Sequence, residues 1–187
     1  MKKGLRKYLI ISTLAFIFYS FIRLHAANQA VEPAIERPQE VNQYLQNYQY
    51  LARELNSQTN IPVALTMAVA GLESNWGKSE LAQSANNHFG IKANNWEGLT
   101  HCKTTMEYWE NDPVYVLECF RKYSLIRESF QDFGSFIKSR PQYNYLFEQQ
   151  ITDSYSWAYA LQAGHYATDP QYAQKLIRVM EMYRLGE

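Results

Sequence analysis

The sequence predicts an α+β fold that is predominantly helical, a helical body interrupted by one small β-hairpin lobe. Three observations carry this. Apolar residues recur at three- and four-residue spacing on both sides of the chain's middle. Strand-forming residues concentrate in a single region, Leu99 to Tyr123. Glu110-Asn111-Asp112-Pro113 breaks that region near its centre, as a hairpin requires.

The chain has 187 residues and no formal net charge. Residues 1–27 read as an export leader. Lys2, Lys3, Arg6 and Lys7 make a positive head, Tyr8 to Ile22 an apolar stretch, and His25-Ala26-Ala27 a small-residue exit. The stretch falls short of the ~20 residues of a spanning helix. It serves either as a cleaved signal peptide or as an N-terminal membrane anchor, and both place the rest in the periplasm or cell envelope. Residues 28–39 hold Pro33 and Pro38 without periodicity and read as a linker. Residues 40–187 then form one domain, long enough to bury a core and expected to be a monomer.

Glu40 to Ser57 carries Val41, Tyr44, Leu45, Tyr48, Leu51, Ala52 and Leu55 on one helical face. Asn56 to Asn60 breaks it. A second, more apolar helix opens at Ile61, with Pro62 in its first turn. The short polar join makes the two an antiparallel pair. Lys78 to Ala85 is a short polar helix or turn. Asn86 to Lys92 is a loop that holds Phe89 and Ile91, and Asn94 to Gly98 is a second turn around Trp96.

A hairpin turning about Glu110-Asn111 sets Cys102 opposite Cys119 and Glu107 opposite Val114. That register permits a Cys102–Cys119 disulfide, which needs Cα atoms within about 7 Å and suits an oxidising compartment. Beyond the hairpin, Leu125, Ser129, Phe130, Phe133, Phe136 and Ile137 mark a helix ending near Arg140-Pro141. Asp153 caps another that runs through Ala163 and closes at Gly164. Asp169 as N-cap and Pro170 at the first position open the last, whose stripe is Tyr172, Ala173, Leu176, Ile177, Met180 and Tyr183.

Composition excludes some functions. The balanced charge gives no basic surface for nucleic acid. His88, His101 and His165 lack ligand spacing, so no metal or other cofactor is expected. No serine or cysteine is arranged as a nucleophile. Fifteen tyrosines, nine phenylalanines and four tryptophans suit a core and sugar faces equally.

Chemistry concentrates at Glu73, in the last turn of the second helix, where Gly77 is placed to turn the chain. An acid among apolar neighbours at a helix C-terminus is disfavoured in its ionised form. A carboxyl still protonated near neutral pH is what a general acid needs to protonate a glycosidic oxygen.

Five stretches then occur in order: Leu72-Glu73-Ser74-Asn75-Trp76-Gly77-Lys78-Ser79, Asn86-Asn87-His88-Phe89-Gly90-Ile91-Lys92, Thr104-Thr105-Met106-Glu107-Tyr108, Phe120-Arg121-Lys122-Tyr123 and Gly164-His165-Tyr166-Ala167-Thr168-Asp169-Pro170. Together, over about Gln39 to Leu185, they resemble the endo-β-N-acetylglucosaminidase domain of bacterial cell-wall hydrolases, a family that includes the glucosaminidase half of flagellar peptidoglycan hydrolases. The resemblance implies a lysozyme-like fold with a cleft between helical body and β lobe. It implies cleavage of the β-1,4 glycan of peptidoglycan after N-acetylglucosamine.

By the same resemblance Glu73 is the general acid and Glu107 the second carboxylate, with Glu110, Asp112 and Glu118 as rivals on the hairpin. Tyr166 orients the N-acetyl group or the intermediate, although this chain places His165 where the family's tyrosine directly follows the glycine. Asn87, Phe89 and Gly90 shape the cleft wall, and Trp96 stacks on a sugar. Three other functions share these features: a lytic transglycosylase, a non-catalytic wall-binding module on the same fold, and a glycoprotein deglycosylase that the export leader does not support.

Overall fold

The computed structural model describes residues 37–109 and 112–186, with the side chains of 106–109 and 112–113 left out. The expected leader, nearly all of the linker, the hairpin tip and the side chain of Glu107 lie outside the described residues. α1 (Gln39–Thr59) buries Val41, Tyr44, Leu45, Leu51, Ala52 and Leu55, the expected stripe. It ends at Asn60, left-handed at φ 63°, a conformation asparagine tolerates better than most residues.

α2 (Val63–Ser74) is the axis of the domain. Leu65, Met67, Ala68, Val69 and Ala70 are all buried, so it is apolar nearly all round, as a helix wrapped by others must be. It packs on α1 and, from the far end of the chain, on α6 (Ser154–Ala163) and α7 (Tyr172–Met182). Asn75, Trp76 and Gly77 then take φ of 49°, 54° and 77°. The helix therefore stops at Asn75, and Gly77 turns the chain just beyond it, as expected. The Trp76 ring lies over Gly71, where an added Cβ would sit 2.6 Å from it. This abrupt exit leaves Glu73 at the edge of the core, not inside it.

α3 (Glu80–Ala85) starts at Ser79, whose hydroxyl accepts the Ala82 N–H. β1 (Thr100–Trp109) and β2 (Asp112–Arg121) form an antiparallel pair in the expected register, with Cys102 opposite Cys119 and Glu107 opposite Val114. Cys102 and Cys119 are joined by a disulfide. The hairpin root is fastened to the body by backbone bonds from Ala93 to Cys119 and from Arg121 to Ile91, and by His101 against Glu80.

α4 (Ile126–Lys138) follows, its Glu128 carboxylate accepting the N–H groups of Ser124 and Leu125. A 3₁₀ turn (Pro141–Tyr143) and α5 (Asn144–Glu148) lead to α6, capped as expected by Asp153, which accepts from Ser156 N at 2.7 Å. The last helix departs from expectation. Asp169 accepts from Gln171 N, so the cap and Pro170 form a preceding turn, and α7 begins only at Tyr172. Phe89, Phe130, Phe133, Tyr143 and Trp157 are the bulkiest buried rings of the core that these helices enclose.

Candidate active site

Two residues far apart in the sequence, Tyr172 and Gly90, meet Glu73. Glu73 Oε1 accepts a hydrogen bond of 2.8 Å from the hydroxyl of Tyr172, at the start of α7. Its Oε2 faces Gly90, where an added Cβ would lie 3.5 Å away. Gly90 sits at φ 65°, which a side chain would strain, so the loop leaves the acid open to the cleft. Burial pushes the half-buried Glu73 carboxyl above the ordinary glutamate range, and the Tyr172 hydroxyl opposes this by favouring the ionised form. Replacing Tyr172 with phenylalanine is thus expected to move the alkaline limb of kcat/KM to higher pH. The rate falls about tenfold as the carboxyl loses its orientation. A pH–rate profile of the variant checks both.

Serine next door holds the backbone. Ser74 Oγ donates to Ala70 O and accepts from Gly77 N, while the Tyr44 hydroxyl and His88 Nδ1 share a hydrogen bond of 2.6 Å. Burial pulls His88 down to about 4, so its ring is neutral. The loop that faces Glu73 is thereby tied to α1.

The cleft has a volume of about 470 Å³. Glu73, Phe89, Gly90 and Tyr166 line it, so four of the sequence's candidates meet there. Phe89 contributes mainly backbone, because its ring is buried and stacks on Phe133 at 4.4 Å. Tyr166 is half-buried, stacks on Tyr172 at 5.8 Å and donates its hydroxyl to Phe89 O at 2.8 Å. Burial and the adjacent Glu73 hold its phenol well above the usual range, so it stays un-ionised.

Asn87 and Trp96 stand behind the wall. Asn87 is buried, and its amide is spent on backbone: Nδ2 donates to Ile91 O and Arg121 O, and Oδ1 accepts from Phe89 N and Ile91 N. Trp96 donates Nε1–H to Leu99 O, and its ring carries the Arg121 guanidinium at 4.6 Å. Arg121 itself lines the cleft, held by both oxygens of Asp132 at 2.8 Å. Of Glu107 only the backbone is described, in the middle of β1's outer half. Among the described residues no group of His, Cys, Asp and Glu is gathered closely enough to hold a metal ion.

Sequence reasoning placed Tyr172 in a buried stripe and gave it no role. The usable signal was its hydroxyl, since a buried tyrosine needs a partner at its polar end. Arg140, Phe136 and Gln142 also line the cleft, and nothing in their local sequence pointed there.

Residues 49–185 match the family described as Mannosyl-glycoprotein endo-beta-N-acetylglucosaminidase. The exo-glucosaminidase LytG of Bacillus subtilis is 30% identical across the whole chain, which covers 69% of LytG. The peptidoglycan hydrolase FlgJ of Vibrio parahaemolyticus is 36% identical over 63% of this chain, and the match spans only 39% of FlgJ. Among solved structures, the catalytic domain of the autolysin Auto from Listeria monocytogenes superimposes with a TM-score of 0.70 at 28% identity, covering 87% of this chain and 94% of that one. The glycoside hydrolase domain of Salmonella typhimurium FlgJ, C-terminally truncated, gives 0.61 at 32% identity, covering 77% and 97%. These neighbours are lysozyme-like glycoside hydrolase domains, which bears out the fold class expected of the sequence. On the extent of the family match and the full-length likeness to LytG, the chain belongs to the mannosyl-glycoprotein endo-beta-N-acetylglucosaminidase family.

Proposed function

We propose that the chain is an exported peptidoglycan hydrolase that cuts the β-1,4 glycosidic bond after N-acetylglucosamine. One observation carries this reading: a carboxyl, the one among the described cleft-lining residues, raised by burial and facing Gly90 at an open groove. Glu73 protonates the leaving oxygen, and the Tyr172 hydroxyl keeps one of its oxygens turned inward, leaving the other for the substrate. An oxocarbenium-like state then needs a second carboxylate, or a water activated by one, on the other side of the sugar. The family resemblance assigns this to Glu107, on the hairpin beside the cleft. Tyr166 holds the Phe89–Gly90 backbone that forms the wall against the N-acetyl group. Peptidoglycan as substrate is supported by the FlgJ relatives, which are peptidoglycan hydrolases.

Digestion of purified peptidoglycan, followed by mass spectrometry, tests this. Hydrolysis adds water and leaves a reducing N-acetylglucosamine end. Anhydro ends mark a lytic transglycosylase, and binding without release marks a wall-binding module. Long fragments separate cleavage within strands from the removal of single units that LytG's name describes. Glu107→Gln is expected to lower kcat by about a hundredfold or more, with glycan binding retained. Full activity in that variant removes Glu107 from the mechanism and leaves the rest standing.

A further inference from the structure

Among the described residues, the cleft is lined by three permanent cations, Lys92, Arg121 and Arg140, and by one carboxyl, Glu73. Lys92 has Glu118 at 3.2 Å, and Arg121 is clasped by Asp132. Arg140 has no carboxylate partner among the described residues. Its guanidinium instead lies 4.0 Å from the centre of the Phe136 ring. Stacked this way, a guanidinium keeps its orientation while its N–H edge stays free to bind.

Its position is built, not incidental. Arg140 is extended at φ −107° and ψ 115° between α4 and the 3₁₀ turn. Its carbonyl accepts from Tyr143 N, and both Gln142 Nε2 and the Tyr143 hydroxyl donate to Gly164 O, in the segment leading to Tyr166. Phe136 meets Tyr166 edge-on at 5.9 Å, and Tyr166 stacks on Tyr172, which holds Glu73. Arg140 thus belongs to the same wall as the acid, separated from it by three rings. A group held by Arg140 sits on a sugar beside the bond being cut, not at the reacting atoms.

Neutral sugar hydroxyls and N-acetyl groups do not call for a guanidinium. A carboxylate does, because the forked donors match its two oxygens. Resting on the peptidoglycan reading above, we propose that Arg140 is a specificity residue that binds a carboxylate carried by the muramyl sugars. That carboxylate is an acid of the peptide stem or, where the stem has been removed, the freed lactyl acid of the sugar, which is a neutral amide as long as the stem is attached.

The test uses three versions of one glycan: peptide-bearing, stripped to free lactyl acids, and stripped then esterified so that it is neutral. On glycan that carries the recognised carboxylate, Arg140→Ala is expected to raise KM about fivefold to tenfold with kcat within about twofold. Arg140→Lys recovers only part of this, because an ammonium keeps the charge but not the stacked, forked geometry, and added salt narrows the difference between wild type and Arg140→Ala. On the esterified glycan wild type and Arg140→Ala behave alike. A deficit confined to peptide-bearing glycan identifies a stem acid, one confined to the stripped glycan identifies the freed lactyl acid, and one on both but not on the ester shows that either carboxylate serves. Dissociation constants measured in a Glu73→Gln background repeat the comparison without turnover. Equal loss on all three glycans, or loss on none, overturns the proposal while leaving the hydrolase reading intact. Failure of the wild type to cut any of them overturns both.

Discussion

Glu73→Gln is expected to lower glycan hydrolysis by about a thousandfold, within the range lost when a general acid is removed, while the fold survives. Glutamine keeps the carbonyl that accepts from Tyr172 but has no proton to give. Stability separates this loss from simple damage. Burial raises the Glu73 pKa in the folded state above its unfolded value. The wild type therefore has its full stability at acid pH, where Glu73 is protonated in both states. It loses part of it as pH rises through the folded-state pKa and a half-buried carboxyl must ionise. Glutamine never ionises. Thermal melts of the two proteins should lie close together near pH 4 and separate toward pH 8, with the inactive variant the more stable. A gap that stays constant across this range contradicts the burial account of Glu73.

Asn87→Ala is the other large effect, and it falls on stability. The asparagine amide satisfies four backbone groups from Phe89, Ile91 and Arg121, and a methyl group replaces none of them. Leaving buried polar groups without partners costs about 1–3 kcal/mol each, and partial relaxation brings the expected total to about 3–4 kcal/mol. For a domain of this size that is about 10 °C in melting temperature. Activity falls as well, because the same bonds fix the loop that keeps Gly90 against Glu73. A variant with normal stability and a raised KM would instead mean that Asn87 touches the substrate. Calorimetry and kinetics on the same preparation decide between the two.

Much of this fold was legible because its signals are local. The stripe of α1, the Asp153 cap and the hairpin register about Glu110-Asn111 each depend on residues close in sequence, and each appears where expected. The start of α7 was misplaced by a rule that is itself local: Asp169-Pro170 can open a helix or close a turn, and the Asp169 bond to Gln171 selects the turn. Glu73 was legible for a different reason, an ionisable group in an otherwise apolar helix. Tyr172 and Arg140 were not. They lie 99 and 67 positions from Glu73, and only the packing of α7 against α2 and the bonds of the 3₁₀ segment to Gly164 at the end of α6 bring them to its cleft. Asn87 was read as a cleft residue because a polar side chain in a loop gives no sign of whether it faces solvent or backbone.

Arg37 donates Nε–H to Tyr183 O at 2.6 Å and Nη2–H to Arg184 O at 3.2 Å, at the C-terminal end of α7. Entrance and exit of the domain therefore share one doorway. A cassette wired this way can be spliced into a longer polypeptide, or carry attachments at either end, without its helices being re-routed. That suits a unit whose match spans only 39% of one peptidoglycan hydrolase and 22% of an enterococcal autolysin.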